Sequence, residues 1–185
     1  MVAEGRRTTD IIAVMLKTIV AAVAASAALY AAGQAAGFAF DVKKPAFRVS
    51  IPSLPAIKME PHPMAAVDKH MLFEGTGSGY TVTIMTPEGP GMTPNGCATS
   101  GVQVVAARPG VPPPQEIFKV RLDPSTYAAI YAMRGPTSVQ LNAHLFSAAG
   151  GSHCVEVHAT RIAKSEQDID AWFKGFRSAR IEPRK

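Results

Sequence analysis

The sequence predicts an α+β fold: a largely antiparallel sheet of about five strands, with a C-terminal amphipathic helix packed across one face. Segments with an apolar residue at every second position recur between Tyr80 and Ile162, and this period is typical of half-buried strands. Turn-forming residues separate these segments. An apolar stripe with helical spacing follows Ser165 near the end of the chain.

The first 39 residues are predicted to be an export signal or a membrane anchor. Arg6, Arg7 and Lys17 precede residues 18–40, which contain no charged residue. A basic start, an apolar stretch and small residues before a cleavage site are typical of a secretory signal, and cleavage is predicted after Ala27 or after Ala39. Because a membrane-spanning helix needs roughly 20 apolar residues, an uncleaved anchor through residues 11–40 is the alternative. Both readings predict an exported protein of the periplasm or cell envelope.

Residues 40–63 are predicted to form a proline-rich extended spacer, and residues 64–185 a single α+β domain. Prolines recur from Pro45 to Pro63 too often for a helix or a central strand. One short edge strand fits this range, since Phe47, Val49 and Ile51 alternate with polar residues. The remainder has the composition of an extended polyproline segment.

Five strands are predicted in the domain, at 80–85, 101–107, 117–122, 138–146 and 154–162. Between the first two, Asn95-Gly96 is predicted to be a turn, because both residues tolerate a positive φ.

Two helices are predicted between and after these strands. Asp123 suits the N-cap of the first helix, with Pro124 at its first position and Gly135 at its exit. Ser165 and Asp168 form a capping-box pattern at the start of the second. The apolar stripe of this second helix is expected to be buried against the sheet, and it comprises Ile169, Trp172, Phe173 and Phe176.

The chain contains two cysteines, Cys97 and Cys154, both in the part predicted to be exported. In an oxidising compartment, two cysteines and no others indicate one disulfide. We therefore predict an intramolecular bridge between them, with each cysteine at the end of a strand.

Polar residues share one face of the last two predicted strands. Joining the apolar faces pairs Leu145 with Val155 and sets His144 opposite Glu156. Asn142 then lies opposite His158. The candidate polar patch comprises Asn142, His144, Glu156 and His158.

This patch has three interpretations. Two histidines and a carboxylate are a ligand set for catalytic zinc or non-haem iron. The same residues suit an unmetallated catalytic or ligand-binding patch. Since one face of an antiparallel sheet is commonly solvated, we expect a plain polar face, with no catalytic residue, metal or cofactor.

Several function classes are disfavoured. The net charge is +5, but the cations are scattered rather than grouped beside aromatic residues, so no nucleic-acid partner is expected. The glycines of 75–79 lead into a strand rather than a helix, which does not fit dinucleotide binding. The sequence therefore favours an exported, non-catalytic domain that binds a partner protein or small ligand at the cell envelope. The alternative is a small envelope enzyme, with or without metal, that uses the His/Glu cluster.

Overall fold

The computed structural model describes residues 37–87, 93–148 and 153–184. These residues form a mixed, mostly β structure with two helices, so an α+β fold with antiparallel sheets is confirmed. The strands are β1 (Phe38–Lys43), β2 (Ala46–Ile51), β3 (Glu60–Pro61), β4 (Met71–Gly77), β5 (Tyr80–Met85), β6 (Phe118–Arg121), β7 (Thr126–Arg134), β8 (Val139–Ser147), β9 (Val155–Ala163) and β10 (Arg180–Pro183). The helices are α1 (Pro94–Ala106) and α2 (Glu166–Gly175).

The strands form two sheets instead of the single sheet of about five that the sequence predicts. One has three strands in the order β1-β2-β10, and the other has seven in the order β3-β4-β5-β9-β8-β7-β6. All pairings are antiparallel. A common core joins both sheets, with side chains such as Phe47, Val49 and Ile181 from the small sheet and Ile84, Leu141 and Val157 from the large one.

The spacer prediction is wrong for residues 40–45, which form the end of β1 and the turn after it. The short strand expected over residues 47–51 is present as β2, but it is the middle strand of the small sheet rather than an edge strand. Phe38 is only 1% exposed, and Phe47 and Ile51 are fully buried. Two of the prolines that argued against strands lie outside β1 and β2, because Pro45 is in the turn between these strands and Pro52 follows β2. The predicted export signal or membrane anchor falls mostly on residues 1–36, which lie outside the described residues.

The predicted turn at Asn95-Gly96 and the predicted strand over 101–107 are replaced by helix α1. Its N-cap is Thr93, whose Oγ1 accepts a hydrogen bond from Gly96 N at 3.1 Å, and Pro94 begins the helix. The residues that α1 buries have helical spacing, and they are Cys97, Ala98, Val102 and Val105. The valines of this segment favour a strand by their intrinsic propensity, but burial of this helical face overrides that preference.

The predicted helix after Asp123 is instead strand β7. Asp123 Oδ1 accepts hydrogen bonds from Ser125 N at 2.7 Å and Ser125 Oγ at 2.8 Å, so it closes a turn rather than capping a helix. Residues 128–131 are all buried, since both faces of β7 are covered. Burial on both faces removes the alternation of polar and apolar residues that identifies a strand.

Helix α2 begins with the predicted capping box. Asp168 N donates to Ser165 Oγ, and Ser165 N donates to an Asp168 carboxylate oxygen at 3.2 Å. Trp172, 5% exposed, and Phe176 belong to the core. The Trp172 ring stacks on Tyr80 of β5 with centroids 6.1 Å apart. The placement of the whole helix across one face of the sheet stays a prediction.

In the described parts of the chain, neither helix has the length and apolar character needed to cross a membrane.

Candidate functional site

Helix α1 packs on the opposite face of the large sheet from the common core. A second buried cluster joins it to β7 and β8, and this cluster includes Cys97, Val105, Tyr131, Phe146 and Cys154. The predicted polar patch lies on this same face. The helix that the sequence did not predict therefore forms one wall of the candidate site.

The predicted disulfide between Cys97 and Cys154 is present, with Cα atoms 5.6 Å apart. This distance lies within the range of roughly 4.4–6.8 Å that a bridge requires. Cys97 lies in the first turn of α1 rather than at a strand end, and Cys154 immediately precedes β9. The bridge therefore attaches the start of the helix to the sheet.

The register of β8 and β9 differs by two residues from the predicted one. His144 lies opposite His158, and Phe146 lies opposite Glu156. Because side chains alternate between faces with a period of two, a shift of two residues keeps every side chain on its predicted face. The prediction of a shared polar face is therefore unaffected, although the directly opposed pairs change.

The structure brings the four predicted patch residues together through diagonal contacts. His144 Nδ1 lies 2.7 Å from Glu156 Oε1, and His158 Nε2 lies 3.1 Å from Asn142 Oδ1. The two imidazole rings stack with centroids 4.1 Å apart and planes 6° from parallel. We call Asn142, His144, Glu156 and His158 the polar cluster.

Three further polar residues extend this cluster. The Tyr131 hydroxyl lies 3.2 Å from His144 Nε2. Gln140 Nε2 donates to Asn142 Oδ1 and to Thr160 Oγ1, each at 3.1 Å. The polar side chains of the cluster thus satisfy one another, as buried polar groups in proteins usually do.

The chemistry of a carboxylate sets the direction of one hydrogen bond in the chain of contacts through His144. An ionised carboxylate can only accept, so His144 Nδ1–H donates to Glu156. The other ring nitrogen, Nε2, forms a hydrogen bond with the Tyr131 hydroxyl, which can donate or accept. The His144 ring thereby uses both nitrogens, and it is completely buried.

The surroundings shift the pKa values of two residues in this network. Burial raises the pKa of Tyr131 to about 12, although the Arg108 guanidinium opposes the shift, so the phenol keeps its proton. Burial lowers the pKa of His158 to about 3, and His144 and Arg108 lower it further. His158 is therefore neutral throughout the physiological pH range.

A small pocket of about 120 Å³ opens between α1 and the sheet beside the polar cluster. It is lined by Pro87, Cys97, Ser100, Gly101, Val104, Phe146, Cys154 and Glu156. Val104 is 62% exposed, whereas Glu156, the one charged residue among the described residues of this lining, is 8% exposed. The pocket thus combines mostly apolar walls with one buried carboxylate.

Among residues 37–87, 93–148 and 153–184, no group of three His, Cys, Asp or Glu side chains is arranged to hold a metal ion. The contacts of His144 give the physical reason at this position. Both ring nitrogens already lie at hydrogen-bond distance from Tyr131 and Glu156, so neither presents a lone pair to a metal.

The sequence interpretation missed Tyr131 and the α1 wall of the pocket for the same reason. Tyr131 was assigned to a predicted helix and residues 101–107 to a predicted strand, so neither could be placed beside the polar cluster. Arg108 was missed because an exposed arginine after a short segment carries no specific signal. Comparison of the sequence with known protein families and with curated proteins gives no match.

Proposed function

We propose that this protein is an exported, non-catalytic domain that binds a small ligand, or one side chain of a partner protein, at the cell envelope. The ligand enters the pocket between α1 and the sheet. Apolar walls with a few convergent polar groups are the usual composition of a ligand site. The lining fits this description, with Val104 and Phe146 as apolar residues and Ser100 and Glu156 as polar ones.

The main support for this proposal is the order of the residues in the hydrogen-bonded chain Tyr131–His144–Glu156 relative to the pocket. In nucleophilic catalysis, a hydroxyl faces the substrate and a carboxylate lies behind the histidine. Here the order is reversed, because Glu156 lines the pocket while Tyr131 does not. Tyr131 is also buried, and its raised pKa keeps the phenol protonated and weakly nucleophilic. This arrangement supports binding rather than group transfer.

Two features support export. The basic start and the uncharged run of 18–40 are typical of a secretory signal or an anchor. The disulfide between Cys97 and Cys154 suits an oxidising compartment. Processing decides between a released protein and one anchored through residues 11–40.

A fragment screen by ligand-observed NMR on the mature protein tests the binding proposal. We expect several small fragments to bind wild type and to lose binding in Ser100→Trp, since the indole fills the pocket. The control is Gln167→Trp, at an exposed position on α2 outside the lining. Fragment binding that is equal in all three proteins would contradict the proposal.

The alternative function is a small envelope enzyme, and the Tyr131–His144–Glu156 chain is the observation that favours it. Chemical conversion of a fragment by wild type, abolished in both Tyr131→Phe and His144→Gln, would replace the binding proposal. Elemental analysis of untagged protein separates the metal-dependent form of this enzyme from the metal-free one.

A further inference from the structure

The pocket beside the disulfide has a chemical character that goes beyond general ligand binding. Among the described residues, its lining contains one ionisable carboxylate, Glu156, and is otherwise mostly apolar. We propose that the pocket binds a primary alkylammonium group on a short aliphatic chain, with the ammonium against Glu156. This inference rests on the proposed binding function and specifies its ligand class.

The charge of the cavity points to a cation. Glu156 is 8% exposed and donates no hydrogen bond when ionised. Its contact with His144 occupies Oε1, whereas a carboxylate offers about four acceptor positions. A primary ammonium has three donors and a positive charge. In the pocket it would bind the acceptor positions of Glu156 that the contact with His144 leaves open, and it would pair with a carboxylate that is costly to bury alone.

The size of the cavity restricts the rest of the ligand. A cavity of about 150 Å³ accommodates benzene, with its six carbons, so a pocket of about 120 Å³ holds roughly five non-hydrogen atoms. Four carbons and one nitrogen match this volume. The aliphatic chain would contact Phe146 and Val104 in the lining.

The packing of α1 explains why the cavity stays narrow. A Cβ atom on Gly101 would collide with the Phe146 ring, so helix and sheet are as close here as a glycine permits. The disulfide holds the N-terminal turns of the same helix to β9. An aromatic or branched group would fit only if α1 moved, whereas a linear chain fits the cavity as it is.

Two sources carry this chemistry: a free small amine, and a lysine side chain of a partner protein. In each, a chain of up to four methylenes leads to a terminal amino group, and this group is protonated at neutral pH. The lysine source requires the partner backbone to lie at the pocket mouth beside Val104, which is 62% exposed.

The test uses the mature protein, with the methyl groups of Val104 as an NMR reporter. The probes are n-butylamine, its neutral analogue n-butanol, its anionic analogue butyrate, and N-acetyl-lysine methylamide as the lysine source. We expect n-butylamine to bind at least tenfold more tightly than n-butanol and butyrate not to bind. Tighter binding of the lysine derivative than of n-butylamine assigns the ligand to a partner side chain, and the reverse order assigns it to a free amine.

Variants separate charge from shape. Glu156→Gln keeps the shape of the side chain and should remove the tenfold preference for the amine. Glu166→Gln removes an exposed carboxylate on α2, far outside the lining, and should leave binding unchanged. If Glu156→Gln does not fold, Ser100→Trp should abolish the Val104 shifts, and the comparison of probes on wild type needs no variant.

The outcomes distinguish the two proposals. If n-butanol binds as tightly as n-butylamine and Ser100→Trp abolishes both, the pocket binds ligands but the ammonium inference is wrong. If butyrate binds most tightly, the inference is also wrong. If no probe shifts Val104 and the fragment screen finds no ligand sensitive to Ser100→Trp, both proposals fail.

Discussion

Gly101 of α1 and Phe146 of β8 are in such close contact that a side chain on residue 101 would overlap the aromatic ring. The Phe146 ring is buried and stacks on His144, with centroids 6.0 Å apart. It therefore lies between the helix and the polar cluster. The absence of a Cβ at residue 101 sets the distance at which α1 packs on the sheet.

Gly101→Ala should lower the free energy of unfolding by about 1–3 kcal/mol, because an added methyl in a close-packed site forces neighbours to move. Urea unfolding measures the change. Gly135→Ala is the control, since its nearest contact to an added Cβ would be a tolerable 3.4 Å from Ser138 O. Adding Phe146→Leu to Gly101→Ala should recover part of the loss. Equal effects of the two glycine substitutions would show that the contact does not limit packing.

The low pKa of His158 predicts a loss of stability in mild acid. Well above pH 6.5 the ring is neutral in both the folded and the unfolded state. As the pH falls towards 3, the unfolded chain takes up a proton, whereas the partly buried His158 ring of the folded chain, beside His144 and the Arg108 guanidinium, does not. The free energy of unfolding should therefore fall with decreasing pH, by up to about 1.4 kcal/mol per unit from this residue.

The measurement for this prediction is urea unfolding of wild type and His158→Gln between pH 7 and pH 5. The pH dependence of the variant should be smaller than that of wild type. His62→Gln removes a histidine outside the polar cluster and serves as the matched control. Identical slopes for wild type and His158→Gln would contradict the assignment of this pH dependence to His158.

The sequence predicted the elements whose local signals agree with their surroundings. The capping residues Ser165 and Asp168 identify the start of α2, and the alternation along 138–146 and 154–162 identifies β8 and β9. Prediction failed for α1 and β7, where valines in a helix and alanines in a strand contradict their intrinsic preferences. Tertiary packing on both faces of β7 decides its conformation, and no local pattern records it.

The sequence predicted only the part of the candidate site that local patterns determine. Period-two alternation places His144 and Glu156 on one face whatever the exact register, so the cluster itself could be found. The disulfide followed from the number of cysteines. The pocket could not be found, because its second wall is α1 and the position of α1 depends on contacts between residues distant in sequence.

Trp172→Ala should lower the free energy of unfolding by about 3–5 kcal/mol, as truncation of large buried aromatics does. Trp172 is 5% exposed and contacts the rings of Tyr80 and Phe176. Phe173→Ala is the control, since Phe173 is only partly buried and should cost less. A change below about 1 kcal/mol for Trp172→Ala in urea unfolding would show that α2 contributes little to the core.

Signal cleavage, if the protein is processed, should occur on the N-terminal side of Phe38 and therefore after Ala27 rather than after Ala39. Cleavage after Ala39 would remove Phe38, which is 1% exposed in β1 and belongs to the core. N-terminal sequencing of protein recovered from the cell envelope measures the cleavage point. A mature protein that begins at Phe40 would contradict the role of β1 in the fold, and full-length protein in the membrane fraction would favour the anchor.

Removal of the disulfide should destabilise the protein and weaken the binding pocket together. The bridge spans 57 residues, and in the chain-entropy model a loop of this length stabilises the fold by about 4 kcal/mol. That is a large share of the roughly 5–15 kcal/mol that holds a typical domain together. Because Cys97 and Cys154 also line the pocket, loss of the bridge should let the start of α1 move away from β9.

The measurement compares oxidised wild type with Cys97→Ala/Cys154→Ala by thermal and urea unfolding, followed by titration with n-butylamine. We expect a markedly lower melting temperature and at least tenfold weaker binding at a temperature where the variant is still folded. Two substitutions elsewhere on α1, at the exposed Thr99 and Gln103, provide the control for changes in the helix itself. Mass spectrometry under non-reducing conditions tests the bridge in protein taken from the cell envelope. A mass that corresponds to two free thiols would refute it. Unchanged binding in the folded double variant would show that α1 is held in place by packing of Gly101 and Phe146 rather than by the disulfide.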